Sequence, residues 1–531
     1  MIHGYERGIF SLFRSRWVAY LLVVSSLAAL FVLLATTKTS LVPQEDLGTI
    51  NVNVQCSPGV TLQETIKAIN RVEEVIKTIP QVERYSRVAG ASARFEASSA
   101  AGNFTIRLKN WDKRTGKGDD ISSVMEEIYR RTADITTAQI RLSTRPMIAG
   151  YGVGSGFELY VQDKKGGTTE NLLKYTREFI SALNERPEIS RSYTTFDTKY
   201  PQFIVEVDAA KCKKNGISPQ AVLNVLSGYV GGKYASNFNR FTKLYRVMVQ
   251  APPEFRTDPE SLNNIFVKTS SGEMSPIGQY ITLTRVYGSE SLSRFNLFPS
   301  ITVYGEPAFG YSSGQAIAAI QETAGIALPE GYGFEFGGMS REEAEGGNST
   351  GIIFILCIVF IYLILCALYE SLMIPLAVIL CVPFGLVGSF LFARAWGLEN
   401  NIYLQIGLVM LIGLIAKTAI LLTEYASQRR KAGLSITMSS LFAARARLRP
   451  IIMTSLTMII GMLPLVFAHG VGEKGNMSVG VGAAGGMLAG TVAILFIVPI
   501  MFIAFQYVQE RFLPGMNHAL DEKETNNTEI Q

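Results

Sequence analysis

Six separate stretches of this chain stay apolar over the roughly 20 residues that a bilayer core requires. They cover residues 17–37, 351–369, 371–393, 403–423, 450–468 and 478–505. A backbone in lipid must satisfy its own hydrogen bonds, so each stretch is expected as a helix, and together they form a transmembrane bundle. Only 18 % of the 531 residues are charged, against roughly 25 % in ordinary soluble domains, which excludes a wholly soluble protein. The first stretch is not a cleavable leader. It is too long, and the Thr-Thr-Lys-Thr that follows lacks a small-residue cleavage pattern.

Basic residues orient the spans. Arg7, Arg14 and Arg16 precede the first span, which places residues 1–16 in the cytoplasm. Counting spans then makes the loop 424–449 cytoplasmic, and it carries Arg429, Arg430, Lys431, Arg445, Arg447 and Arg449. Residues 469–477 fall outside. The polar tail 506–531 returns to the cytoplasm with Asp521, Glu522, Glu524 and Glu529, and its composition predicts disorder. The net charge of +5 reflects this topology and gives no reason to invoke nucleic acid.

One charge breaks the pattern. Lys417 sits in the middle of an apolar span, and the other spans hold no Asp or Glu inside their apolar stretches. A charged side chain at bilayer depth costs roughly 2.5–3.5 kcal/mol on insertion scales, so it is normally paired or functional. Its counter-charge is expected from a terminus, a bound ion or another polypeptide. The plain alternative is that Lys417 snorkels or lines a structural water pocket.

Residues 38–348, on the outer side, read as two copies of one unit. The first, 38–145, has strands at 49–55, 82–88, 104–109 and 138–143 and helices after Thr61 and at 120–132. That order, βαββαβ, is the ferredoxin-like motif. The second copy opens at 146–199, is interrupted by an insertion at 200–290, and resumes at 291–348 before the helical spans of 351–505. Inside the insertion, Ser218 and Pro219 mark a helix start, and Asp258-Pro259 another. Fold class is therefore a six-span α-helical bundle plus an α+β outer domain of two ferredoxin-like repeats, the second interrupted.

Other chemistries fall away. His3, His469 and His518 are far apart in sequence, so neither a triad nor a metal site is supported, and no enzyme is expected. Ala416-Lys417-Thr418 mimics the end of a phosphate-binding loop, but the glycine before the lysine is missing. Cys56 and Cys212 lie in the outer region and Cys357, Cys366 and Cys381 in spans, with no disulfide framework and at most a Cys56–Cys212 pair. Gly482, Gly486 and Gly490 follow the spacing that lets helices approach closely, expected here within the bundle. Pro383, Pro464 and Pro499 are expected to kink their spans.

Five ordered strings carry a family resemblance. They are Leu41-Val-Pro-Gln-Glu-Asp-Leu-Gly48, Gly338-Met-Ser-Arg-Glu-Glu343, Ala367-Leu-Tyr-Glu-Ser371, Gly413-Leu-Ile-Ala-Lys-Thr-Ala-Ile-Leu421 and Arg447-Leu-Arg-Pro-Ile-Ile-Met-Thr-Ser455. With the topology, they resemble the C-terminal half of a resistance-nodulation-division (RND) transporter of the hydrophobe/amphiphile multidrug branch. The resemblance implies a homotrimer of complete protomers in the inner membrane of a two-membrane bacterium. It also implies a periplasmic adaptor and an outer-membrane channel as partners, and the proton motive force in place of a cofactor. The outer repeats would be porter subdomains and the insertion a docking unit. Lys417 matches the lysine that pairs with two aspartates on the other half, while Arg447 and Thr454 match residues that assist this proton relay.

The substrate path implied by the family runs past a Gly-rich flexible loop, here 89–103, and the strand after it. Phe95, Phe104, Thr105 and Arg107 are the candidates on this path. Fewer aromatics stand here than the family carries, which points to a more polar or anionic amphiphile. Met125, Met147, Met248, Met274 and Met339 are scattered, against the metal-exporting branch. The aspartate pair is expected on an N-terminal RND half, either a separate chain or a missing part. The runner-up is an orphan half acting as a scaffold subunit without transport of its own.

Overall fold

The computed structural model describes residues 2–512 other than 92–96, 117, 149, 153, 155 and 257. The chain divides into two compact units, one of Met1–Cys56, Thr61–Thr195 and Ser293–Gln531, the other of Ser57–Val60 and Phe196–Leu292.

The larger unit holds the membrane helices and two sheets. The first sheet contains β1 (Thr49–Cys56), β2 (Val82–Ala91), β3 (Ala97–Leu108) and β4 (Ala138–Thr144), ordered β2-β3-β1-β4 with every neighbour antiparallel. Its core face is set by alternation. Ile50, Val52 and Val54 of β1 and Phe104, Ile106 and Leu108 of β3 are buried, which leaves the intervening residues on the opposite face. Two helices cover the core face, Leu62–Lys77 with Ile69, Val72 and Ile76 buried, and Ile121–Thr132 with Val124 and Ile128 buried. Thr61 and Asp120 cap them by accepting from the backbone N–H of Glu64 and Ser123.

The second sheet comprises β5 (Phe157–Asp163), β6 (Ile189–Tyr193), β7 (Ser293–Phe295), β8 (Phe298–Pro307) and β9 (Tyr332–Gly337). Here β8 pairs with β5, β6 and β7, and β5 pairs with β9, all antiparallel. Leaving aside the short β7, the order β6-β8-β5-β9 repeats that of the first sheet. The helices Thr169–Asn184 and Ser313–Ala327 belong to this layer.

Six described helices are long and apolar enough to cross a membrane: Trp17–Thr36, Gly351–Tyr369, Ile374–Ala395, Ile402–Lys431, Ile436–Val466 and Glu473–Arg511. The third is broken into Ile374–Ile379 and Val382–Ala395, with Pro383 in the first turn of the second piece. Pro499 lies inside the last helix and has no N–H to offer the carbonyl one turn back, that of Leu495. That carbonyl instead accepts from the hydroxyl of Tyr5 at 2.7 Å. Tyr5 belongs to an amphipathic helix, Ile2–Arg14, whose Tyr5, Ile9 and Phe13 are buried in the bundle core.

The smaller unit has its own core of Cys212, Ile217, Val222, Ile265, Val267, Ile277 and Tyr280. Strand Tyr200–Val207 pairs with Ile281–Gly288, and Lys233–Arg240 forms a solvent-exposed hairpin with Lys243–Val249. Ser218 caps the helix Pro219–Leu226, whereas Asp258 opens a 3₁₀ turn, Pro259–Asn264, without a side-chain capping bond. Cys56 and Cys212 are both free and buried, so the Cys56–Cys212 pair is not formed.

Three sequence expectations need correction. The loop expected at 89–103 is largely strand: β2 runs through Ala91 and β3 starts at Ala97, with Ala91 paired to Ala97. Small residues allow this, and at Gly102 a Cβ would collide with Ile69 of the covering helix. The loop expected at 424–449 is mostly helix, because only 432–435, containing Gly433 at φ +96°, separates the two helices. The tail expected from 506 begins later, since the last helix continues to Phe512, and residues 513–531 lie outside the described residues.

Candidate functional site

Helix Ile402–Lys431 presents two faces. Leu411, Ile412, Ile415, Ala416, Thr418 and Ala419 are buried in the bundle, while Met410, Gly413 and Lys417 are exposed. The buried face is held by the glycines of the last helix. A Cβ at Gly482 would meet Leu404 at 2.5 Å, one at Gly490 would meet Ile415 at 2.8 Å, and one at Gly486 would collide with Leu411 and lie 2.9 Å from the Gly385 carbonyl oxygen. At Gly486 the opposing atom is a backbone oxygen that cannot swing aside, so glycine is required there, while at Gly482 and Gly490 a Cβ would displace side-chain methyls. The helix bearing Lys417 is therefore clamped from behind, with the ammonium directed away from the clamp.

Among the described residues, Lys417 forms no ion pair. Arg447, on the neighbouring helix Ile436–Val466, lays its guanidinium 5.1 Å from the ring centroid of Tyr425, about two turns beyond Lys417 on the same helix. Among the described residues its buried Nε has no hydrogen-bond acceptor. Thr454 is exposed and its hydroxyl donates back to the carbonyls of Pro450 and Ile451 at 2.9 and 3.0 Å, the usual habit of a helical threonine. Large apolar side chains stand exposed on these helices: Met453, Leu456 and Ile460 on one, and Ile352, Ile355, Leu356 and Phe360 on helix Gly338–Tyr369. A lone cation on an apolar surface is unfavourable against lipid tails.

The second candidate site lies in the outer part of the same unit. A cavity of about 120 Å³ is walled by the helix-free faces of the two sheets. Strand register assembles each wall. On the first sheet Asn53 of β1 stands opposite Asn103 of β3 and Arg141 of β4, and the next rung joins Thr105, Asn51 and Ser143. On the second, Tyr304 of β8 stands opposite Glu158 of β5 and Tyr193 of β6, and the Tyr193 and Tyr304 rings lie 5.9 Å apart. Glu306 completes the rim, where burial pushes its carboxyl up and the charge of Arg191 partly offsets this.

The substrate-path candidates distribute unevenly. Phe104 is fully buried in the core, 6.3 Å from the ring of Tyr85, and does not line this cavity. Thr105 and Arg107 are exposed on the helix-free face, one and two rungs from Arg141. Phe95 lies outside the described residues. Sequence reasoning missed Arg141, Tyr193 and Tyr304. The signal for Arg141 was present, because Ile140 and Leu142 flank it in a strand and turn it away from the core.

The chain matches the model of the AcrB/AcrD/AcrF family over residues 1–506. It is 32 % identical over 508 residues to a multidrug/solvent efflux pump membrane transporter, MepB of Pseudomonas putida, covering 95 % of this chain and 48 % of that protein. With the multidrug resistance protein MdtF of Escherichia coli K12 it shares 34 % over 499 residues, 93 % of this chain and 48 % of the relative. With the multidrug export protein AcrF of the same strain it shares 34 % over 493 residues, 92 % and 47 % respectively. The chain thus spans about half the length of these curated relatives.

Proposed function

We propose that this chain, which belongs to the AcrB/AcrD/AcrF family of RND efflux transporters, works as the C-terminal half of a proton-driven pump for amphiphilic small molecules. The observation that carries this is Lys417: an exposed ammonium, without an ion pair among the described residues, in the middle of an apolar helical span. An N-terminal half bearing paired aspartates would cover that surface and supply the counter-charge.

The chemistry follows from electrostatics. Two carboxylates in a low-dielectric site cannot both stay ionised without a cation nearby. Proton uptake by one of them weakens its hold on Lys417, and the ammonium turns to a new partner, with Arg447 and Thr454 on the adjacent helix as candidates to assist. The rearranged bundle biases a two-state outer domain whose paired sheets, read as ferredoxin-like porter repeats, open and close around the substrate. Residues 200–290 would serve as the docking unit toward a periplasmic adaptor and outer-membrane channel. The complete protomers would form a trimer in the inner membrane with both termini of this chain in the cytoplasm.

Purification of the tagged chain in mild detergent from its own host tests the reading. Co-elution of a stoichiometric six-span polypeptide with paired intramembrane aspartates is expected. In cells producing both halves, Lys417→Ala is expected to abolish efflux while leaving the complex assembled. A chain that elutes alone, or efflux indifferent to Lys417→Ala, would replace the pump by a scaffold subunit.

A further inference from the structure

We propose that the adjacent acids Glu45 and Asp46 form a strut that transmits movement between the last membrane helix and the first outer sheet. This rests on the efflux-pump reading for what the transmission serves, but not for the transmission itself, and it makes Glu45 a positioning residue.

Glu45 grips the membrane end. The first four N–H groups of a helix have no partner inside it. The last helix, Glu473–Phe512, opens after Gly470 and Gly472, both at positive φ and neither with a side chain to cap it. The cap comes from 427 positions away: Glu45 accepts from the N–H of Gly472 at 2.7 Å and from that of Gly475 at 2.9 Å. A carboxylate there also answers the positive end of the helix dipole. Tyr403, in the first turn of the helix that carries Lys417, closes the other side, since a Cβ at Gly475 would stand 3.3 Å from its ring.

Asp46 grips the sheet end. Its carboxylate accepts from Arg114 Nη1 at 2.9 Å, from the Ile121 N–H at 3.1 Å and from the Gly48 N–H at 2.7 Å. The Arg114 and Asp46 side chains are 2 % and 8 % exposed, and Arg114 is itself fixed to the carbonyls of Lys109 and Asp119 at 2.7 and 3.1 Å. Ile121 opens a helix that covers the first sheet, so Asp46 moves with that layer. The buried pair resists separation, because either partner alone would be an uncompensated charge.

Adjacent Cα atoms stand only about 3.8 Å apart, which leaves little slack between the two grips. A shift of the last helix beyond what side-chain rotation absorbs either breaks both bonds to Glu45 or draws Asp46 and the sheet with it. The glycine clamp already ties the last helix to the helix of Lys417. The connector also reaches the start of that helix directly: the N–H groups of Asn400 and Ile402 donate to the carbonyls of Lys38 and Leu41 at 2.8 and 3.1 Å.

Hydrogen exchange of the full chain in lipid nanodiscs tests the strut, read at residues 473–480 and 121–128, with β5 as the control. Glu45→Ala is expected to speed exchange at 473–480 about tenfold, as the loss of a helix cap should. It should also speed exchange at 121–128 about fivefold, although every bond made by Asp46 remains available. Arg114→Met, at the sheet end, should speed 473–480 in return. At each end the double variant should exceed the larger single effect by no more than about twofold. Glu45→Gln, which keeps an acceptor, should retain most of the protection at 121–128. Effects confined to the mutated end, or effects that multiply in full in the double variant, overturn the proposal. So does an equal rise in β5, which marks general loosening. If Arg114→Met does not fold, the response of 121–128 to Glu45→Ala decides alone. The readout needs neither substrate nor proton gradient, so a failure of the pump reading would leave this result standing.

Discussion

Glu343 shows how one side chain can make this molecule sensitive to pH. It lies outside the membrane-crossing part of its helix, accepts from the Ser313 hydroxyl at 2.7 Å, and has Glu399 nearby. Burial is the largest influence and pushes its carboxyl up. The bonds from Ser313 and the Leu41 backbone oppose this, and the charge of Glu399 adds to it. A raised carboxyl contributes stability that is complete below the ordinary glutamate range and is lost as pH rises through the higher folded value. Glu343→Gln keeps an acceptor without the charge. The variant is expected to melt above the wild type at pH 8, with the difference vanishing toward pH 4 in thermal unfolding monitored across that range. Residues of this kind were only partly legible. Lys417 announces itself because a charge inside an apolar run is a one-dimensional signal. Phe104 carried a contrary signal: its alternation with Ile106 and Leu108 marks the core face rather than a substrate path. For Arg141 the alternation showed which face it takes but not what stands across from it, and Glu343 gave nothing of its setting away, because Ser313 and Glu399 come from segments distant in sequence.

At the scale of elements, the last helix is defined by what it lacks. Gly482, Gly486 and Gly490 admit Leu404, Leu411 and Ile415 into a contact that any Cβ would obstruct. Gly486→Leu is expected to destabilise the bundle by at least about 1–3 kcal/mol, the usual cost of overpacking. A lowered melting temperature in fluorescence-detected size exclusion checks this. Gly413→Ala, where a Cβ meets nothing within 4 Å, should melt no lower than the wild type. The glycine spacing was legible because helical periodicity alone puts the three on one stripe. The ends of elements were not. Residues 424–431 and 436–449 are charged but contain neither proline nor glycine, so helix continues where hydropathy alone indicates a loop.

Across the whole molecule, the two units differ in how much core holds them. The smaller rests on seven buried hydrophobic residues, and its hairpin Lys233–Val249 is exposed along nearly its full length. Local opening costs least where few apolar contacts are broken. Hydrogen exchange is expected to replace the amides of this hairpin well before those of β1 and β3, where Ile50, Val52, Phe104 and Ile106 are sealed. Comparable protection in both would refute that ranking. The interruption near residue 200 was legible from the broken repeat. That Ser57–Val60 belongs with the smaller unit was not, because those residues follow β1 without a break. The bond between Tyr5 and the Leu495 carbonyl sets an order in time as well as space. Its acceptor stands 490 positions after its donor, so the Tyr5 hydroxyl is made long before the carbonyl it will meet. Contacts of such long range close late, so helix Ile2–Arg14 gains this anchor only when the helix that carries Pro499 packs beside it.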